Sequence, residues 1–344
     1  MKRRTRETAR LHTVIDIPRR EFISSFMAVP ALVPIAEFGR SQISVEDPLP
    51  VRVSTLNHVS FGCADLPRTV AWYERVLGLP RHAFQDYSGG LTVLRVGTDP
   101  PAYMALSQLS PDGVNSPPTR RPHFCWGIPD FNVHRILAAL AEMRSPARSV
   151  LREGTTINGV NFDGPDGAPL QFNPVVACGG MGFLGEVCDR SAEAVRQPGD
   201  PPPVQVQTLN HIKYFVTDLQ HSLEWYQKLT DMRVVVYQEL AEGPRTAGYE
   251  GLPIPVLQVG TGPQHLALVE GTGPESFRLH VGFGVEEFEP ERVMARLVQH
   301  GVTAQLRMRE GVTPEILVDA PDGVRVQLQD VSYCGGRGPL GNLY

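Results

Sequence analysis

Thr55-Leu-Asn-His58-Val-Ser-Phe-Gly-Cys-Ala-Asp65-Leu-Pro-Arg-Thr-Val-Ala-Trp72-Tyr73 returns 153 residues later as Thr208-Leu-Asn-His211-Ile-Lys-Tyr-Phe-Val-Thr-Asp218-Leu-Gln-His-Ser-Leu-Glu-Trp225-Tyr226. Arg152-Glu-Gly154 recurs as Arg309-Glu-Gly311 after 157 residues, and Pro165-Asp-Gly167 with Gln171 recurs as Pro321-Asp-Gly323 with Gln327 after 156. Cys178-Gly-Gly-Met-Gly-Phe-Leu-Gly185 matches Cys334-Gly-Gly-Arg-Gly-Pro-Leu-Gly341, again 156 apart. Blocks that keep their order while the offset drifts by only four residues mark a tandem duplication. The copies are expected over 51–176 and 205–333. A Gly/Pro-containing linker over 177–204, with Gln197-Pro-Gly-Asp-Pro-Pro-Pro203 inside it, joins them, and 334–344 forms a Gly-rich tail.

Each copy divides again into two similar halves. Leu56 to Cys63 alternates like a half-buried strand, and Leu66 to Leu77 has helical spacing with Asp65 placed to cap it. Leu91–Gly97 and Ala102–Ser107 read as strands. A strand at His123–Gly127, a helix at Val133–Met143 and further strands ending at Ala168–Asn173 make the second half. The second copy has the same order, with a helix over Glu291–His300. Four βαβββ units predict an α+β chain rich in antiparallel pairing.

Composition narrows the functional classes. A length of 344 residues exceeds what one core normally organises, in keeping with two domains. Gly 33 and Pro 31 occur without a G-X-Y period, so they mark turns rather than collagen. With 32 basic against 37 acidic residues, net −5, nothing suggests a nucleic-acid partner. Ahead of the repeat, Phe22 to Ala36 is a run of fifteen uncharged residues, too short for a stable membrane anchor, which needs roughly 20. It suits the apolar region of an export signal, and Pro18-Arg19-Arg20-Glu21-Phe22-Ile23 resembles a twin-arginine motif. We therefore expect an export signal over 1–36, a linker over 37–50 and a periplasmic or extracellular protein. Removing the seven basic and three acidic residues of 1–36 leaves 25 against 34, net −9.

Leu56-Asn-His58-Val, Asp65-Leu, Trp72-Tyr73-x-x-Val76-Leu-Gly-Leu79 and the later Pro165-Asp-Gly167-x-x-x-Gln171 resemble the vicinal oxygen chelate superfamily. That group includes glyoxalase I, bleomycin- and fosfomycin-resistance proteins, methylmalonyl-CoA epimerase and extradiol dioxygenases. The resemblance implies two tandem domains, each a pair of βαβββ modules forming a cupped, mostly antiparallel sheet. It also implies a divalent metal (Fe, Mn, Zn or Ni) inside the cup, held from three strands. The matching positions are His58, His123 and Gln171 in the first copy, and His211, His280 and Gln327 in the second. The family usually has Glu where both copies have Gln, so an ion here would keep its full charge. The further ligand of glyoxalase I falls near Ala105 and Ala267, which cannot serve. Extradiol dioxygenases carry a His and a Tyr ahead of the Asp-Pro-x-Gly turn; Thr155–Asp163 and Val312–Asp319 contain neither.

No catalytic side chain stands out. Glu310, Glu315 and His265 are possible bases but are expected as exposed strand or turn residues. The five cysteines allow a disulfide between two of Cys178, Cys188 and Cys334, with Cys63 and Cys125 expected in buried strands. The Cys-Gly-Gly segments are expected as tight turns, with capping a cup or clasping the other copy as alternatives. Two functions remain open: a metal-dependent lyase, isomerase or dioxygenase acting on a small oxygenated substrate, or a metal-free binding protein of the bleomycin-resistance type. The expected partner is a small molecule, and the expected state a monomer or homodimer.

Overall fold

A computed structural model of the chain describes residues 47–85, 90–109, 122–151, 157–180, 184–188, 201–238, 253–271 and 280–344. The expected export segment and the Arg152-Glu-Gly154 block lie outside the described residues. The first copy runs β1 (Thr55–Cys63), α1 (Leu66–Leu77), β2 (Arg81–Gln85), β3 (Leu91–Thr98), β4 (Pro101–Gln108), β5 (His123–Ile128), α2 (Val133–Glu142), β6 (Ala147–Leu151), β7 (Ile157–Asp163) and β8 (Pro169–Pro174). The second repeats it as β9 (Val206–Val216), α3 (Leu219–Leu229), β10 (Arg233–Gln238), β11 (Ile254–Gln258), β12 (His265–Glu270), β13 (His280–Val285), α4 (Pro290–Gln299), β14 (Ala304–Arg309), β15 (Thr313–Asp319) and β16 (Arg325–Asp330).

Local chemistry sets the helix ends. The Asp65 carboxylate accepts from the Arg68 amide at 3.1 Å, Pro67 occupies the first turn, and Gly78 closes α1 at φ 66°. Asp218 caps α3 in the same way, accepting from the His221 amide at 2.9 Å. Tyr73 and Tyr226 on these helices are fully buried, as their place in the repeated Trp-Tyr pair suggested.

Each copy forms one eight-stranded sheet, ordered β2-β3-β4-β1-β5-β8-β7-β6 and β10-β11-β12-β9-β13-β16-β15-β14. The first strand of each βαβββ unit lies parallel to its last, as β1 does to β4 and β5 to β8; the other pairings are antiparallel. The two central strands therefore come from different halves of one copy, and residues far apart in sequence meet there. These are two tandem α+β domains of the expected topology.

One face of each sheet joins a single apolar cluster shared by both copies. The helices cross over. Tyr226 and Trp225 of α3 pack on Trp126 and Phe162 of the first sheet, with ring centroids 5.9 and 6.4 Å apart, while α1 lies against the Pro321–Gly323 turn of the second copy. Asp166 in the first copy's Pro-Asp-Gly turn accepts from the Thr217 amide at 2.9 Å and from its hydroxyl. Gln264 bridges the two leading strands: its carbonyl accepts from Leu56 N at 3.0 Å and its amide donates to Leu209 O at 2.6 Å.

The half-buried reading of the first strand needs correcting. Every residue of β1 except Gly62 is buried. The face turned away from the core is covered by the curl of its own sheet and by the Cys-Gly-Gly segment. Gly179 sits where an added Cβ would meet Tyr103 and Val93 at 2.9 Å, and Gly335 where one would meet Gln238 and Val256 at 3.0 Å. Each segment is thus a turn that also caps its own cup. Cys178 is bonded to Cys188, and Cys63, Cys125 and Cys334 are buried and take part in no disulfide among the described residues. No helix among the described residues is long and apolar enough to cross a membrane.

Gln264→Ala strands Leu56 N and two carbonyls at the junction of the copies. We expect a loss of about 1–3 kcal/mol in urea unfolding, with the two copies still unfolding in one transition. Two separated transitions in the wild-type chain would contradict the shared core.

Candidate functional site

Adjacent residues in a strand normally point to opposite faces. At Asn57 and Asn210 they do not. The pairing of β1 with β5 slips between Leu56 and His58, and that of β9 with β13 slips between Leu209 and His211. Each Asn is the extra residue of a β-bulge, a device that re-aims side chains. As a result Asn57 Oδ1 lies 2.9 Å from His58 Nδ1, and Asn210 Oδ1 lies 3.0 Å from His211 Nδ1.

The amides are oriented by the capping segments. Asn57 Nδ2 donates to Ala177 O, and Asn210 Nδ2 to Tyr333 O, both at 2.7 Å. With the nitrogen committed, each Asn oxygen faces the neighbouring imidazole and demands Nδ1–H. The lone pair of His58 and of His211 is therefore on Nε2.

In the second cup the rung through His211 runs His265, His211, Gly282, Gln327, Leu317 across five strands. His280 stands two residues along on the same face, opposite Lys213. The His211 ring stacks on His265 at 4.6 Å and 11°, and lies 5.4 Å from His280 and 5.6 Å from Tyr333. Gly282 makes this possible, because a Cβ there would sit 2.1 Å from the His211 imidazole. His280 Nε2 and both amide atoms of Gln327 are buried without a hydrogen-bond partner. Gln327 lies within hydrogen-bonding reach of His280 and Tyr333, near enough to bear on the titration of both, but its geometry to each falls short of a formed bond.

Burial dominates the titration of these groups. It holds His211 and His280 well below the ordinary imidazole range, reinforced in each by nearby Lys213, and lowers His265 to about 3. All three rings are neutral at pH 7, the state that donates a lone pair to an ion.

Glu315 and His265, expected at the surface, are 1% exposed. Glu315 faces Arg307 across β14 and β15, and its carboxylate takes hydrogen bonds from Arg307, from Arg309 Nε at 3.0 Å and from Tyr333 OH at 2.9 Å. Burial alone would raise its pKa; Arg307, Lys213 and Arg309 together outweigh it and hold the carboxyl below its ordinary value. His265 directs Nδ1 at Pro263 O, 3.0 Å away, under the Gly335 turn. Neither is a free base. Glu310 is exposed at the rim, as expected.

The first cup has the same rung, Tyr103, His58, Cys125, Gln171, Asn161, with His123 one step away opposite Ser60. Its chemistry differs. Tyr103 replaces His265 as the ring stacked on the histidine, at 4.4 Å, and His123 stands edge-on to His58 at 5.5 Å. Gln171 Nε2 donates to Asn173 Oδ1 at 2.7 Å, and Asn173 Nδ2 to Tyr103 OH at 3.3 Å. Gly159 stands where the second cup has Glu315, and a Cβ there would meet Asn173 and Gln171 at 2.5 and 2.7 Å. The structure thus brings His58, His123 and Gln171 together on one face, and His211, His280 and Gln327 on the other copy's equivalent face.

Among the described residues, His82 with Cys178 and Cys188 is the one group of three His, Cys or carboxylate donors within 4.8 Å of one another. Its sulfurs are consumed by the disulfide. A metal in the second cup would have to use the His–His–amide set.

Sequence reading missed Asn210, Tyr333 and the Arg307–Glu315–Arg309 cluster. The Asn precedes the His in both copies, a signal for the first; nothing in the spacing shows that Glu315 is enclosed.

Residues 208–328 match the family model of the Glyoxalase/Bleomycin resistance protein/Dioxygenase superfamily. No curated protein matches the chain in sequence. Similar solved structures include a 2,3-dioxygenase from Pseudomonas sp. KL28 (16% identity, 81% of this chain and 92% of that one, TM-score 0.57). A variant of homoprotocatechuate 2,3-dioxygenase from Brevibacterium fuscum is also similar (16%, 82% and 73%, 0.57). So is a mutant 4-hydroxymandelate synthase from Streptomyces coelicolor (14%, 80% and 92%, 0.58).

Glu315→Gln leaves the buried Arg309 and its neighbour Arg307 without their anion, and should destabilise the fold by about 3–5 kcal/mol at pH 7. The folded-state pKa is depressed, so the stabilisation is fully present above pH 4.5 and lost as pH falls through the folded value. The variant's stability should therefore fall less steeply than wild type below pH 4.5. Parallel acid limbs in denaturant titrations would refute this.

The second copy is accordingly a domain of the Glyoxalase/Bleomycin resistance protein/Dioxygenase superfamily, and the first repeats its topology strand for strand.

Proposed function

We propose that this chain is an exported, divalent-metal-dependent enzyme of dioxygenase-like or lyase/isomerase type, acting on a small oxygenated organic molecule in the second cup. The observation that carries the reading is the unpartnered His280 Nε2 and Gln327 amide, buried beside the oriented Nε2 of His211. Orphaned buried polar atoms are unfavourable by about 1–3 kcal/mol each, so a fold that keeps three of them has a reason to. His211, His280 and Gln327 would hold the ion. A divalent ion there supplies Lewis-acid polarisation of adjacent substrate oxygens. Asn210 keeps His211 in the donating tautomer, His265 fixes its ring by stacking, and the Gly335 turn excludes water from that side of the cup. The names of the similar structures are compatible with this chemistry, and the Cys178–Cys188 disulfide supports an oxidising compartment.

The first cup fits a second reading, metal-free binding of a neutral ligand. Its Gln171 is already engaged by Asn173, which is engaged by Tyr103.

Metal-stripped protein titrated separately with Fe(II), Mn(II), Zn(II) and Ni(II) should take up one equivalent of at least one ion, with a rise in Tm. Gln327→Glu, which adds a charge to the ligand set, should tighten that binding at least tenfold, and Gln171→Glu should leave it unchanged. Less than ~0.1 equivalent bound, with no rise in Tm for any ion, would overturn the proposal.

A further inference from the structure

Among the described residues, the second cup holds more positive charge than its acids neutralise. Lys213 shares the concave face with His211, two residues along β9, and stands opposite His280 on β13 and Ala267 on β12. It is partly buried and has no hydrogen-bond or ion-pair partner among the described residues. Glu315 supplies one negative charge but is shared by two guanidiniums, those of Arg307 and Arg309. Glu310 lies at the rim, 3.4 Å from Arg309 and 3.9 Å from Arg337. Arg325 is closed off by Asp319 at the exposed edge. Among the described residues one ammonium is left over, beside three imidazoles, none of which can carry the negative charge that would balance it.

The proposed ligand set adds to the imbalance. Two imidazoles and an amide leave a divalent ion its whole charge, whereas a carboxylate in place of Gln327 would cancel part of it. At the matching described positions the first cup lacks these charges: Ser60 stands at the Lys213 position, Val150 at that of Arg307 and Gly159 at that of Glu315. Arg307 is 31% exposed, so its outer edge is accessible although its inner edge holds Glu315.

The geometry points to an anionic substrate: a small organic acid whose carboxylate is received by Lys213, with Arg307 flanking, while its neighbouring oxygen faces His211 and His280. This rests on the reading of the second cup as the substrate site and names the class of molecule it takes. Lys213 is a binding residue, and anion selection at this place does not require the ion.

Matched pairs of probes test it: salicylate with salicylamide, mandelate with mandelamide, and benzoate with benzamide, each titrated into metal-stripped and metal-loaded protein. At least one acid should bind tenfold or more tightly than its amide in both forms. Lys213→Met should abolish that preference while leaving amide affinity unchanged and metal uptake undiminished. Because it removes an uncompensated charge, the variant should also show an equal or higher Tm without ligand, which separates loss of binding from loss of fold. Equal affinity within every pair, an acid preference that survives Lys213→Met, or no binding of any probe at millimolar concentration overturns the proposal. If the acid preference persists in protein that takes up no metal, the metal reading fails and the anionic subsite stands.

Discussion

An imidazole can donate to an ion from Nε2 only if Nδ1 carries the proton, and in this chain that condition is met by a neighbour in sequence that should point the other way. The bulge at Asn210 turns its amide onto the same face as His211, and the Tyr333 carbonyl then orients it. Much of the second copy converges on this contact. The carbonyl comes from the segment entering the Cys-Gly-Gly turn, whose glycines let the chain lie over the cup. The Tyr333 ring is held by Glu315, itself held by two arginines. A change in any of these reaches the histidine through hydrogen bonds rather than through the apolar core.

The duplication gives two versions of one device. Both cups keep the bulge, the oriented histidine and the capping turn, so these belong to the shared ancestry of the copies. They differ in what surrounds it. The first cup carries Tyr103, Asn173 and Gly159 where the second carries His265, Gln329 and Glu315, and it ties Gln171 into a neutral hydrogen-bonded chain with Asn173 and Tyr103. The second leaves its glutamine unbonded within a cationic wall. The imbalance is one of degree: Asn161 Oδ1 is buried and unbonded in the first cup, against His280 Nε2 and the amides of Gln327 and Gln329 in the second.

How far this was legible varies with the physics involved. Repeats, caps and strand periodicity are local signals, so Asp65, the βαβββ order and the pairing of Trp72-Tyr73 with Trp225-Tyr226 were readable. The positions of His58, His123, Gln171, His211, His280 and Gln327 on facing strands followed from the family resemblance. Burial was not readable in the same way. Glu315 and Arg309 have the look of strand-edge residues, and only the curl of the sheet over the cup encloses them. The crossing of each helix onto the other copy depends on contacts more than 50 residues apart, such as Asp166 with Thr217 at a separation of 51.

On the proposed reading the second cup, and not the first, presents imidazole nitrogen to a divalent ion. Electron spin-echo modulation of the Mn(II)-loaded protein measures this directly, since coupled imidazole nitrogens leave a distinct signature on the ion. Modulation is expected from two imidazoles in wild type, from one in His280→Ala, and from two in His123→Ala. A spectrum without nitrogen modulation, or one that loses it in His123→Ala and keeps it in His280→Ala, would contradict the claim.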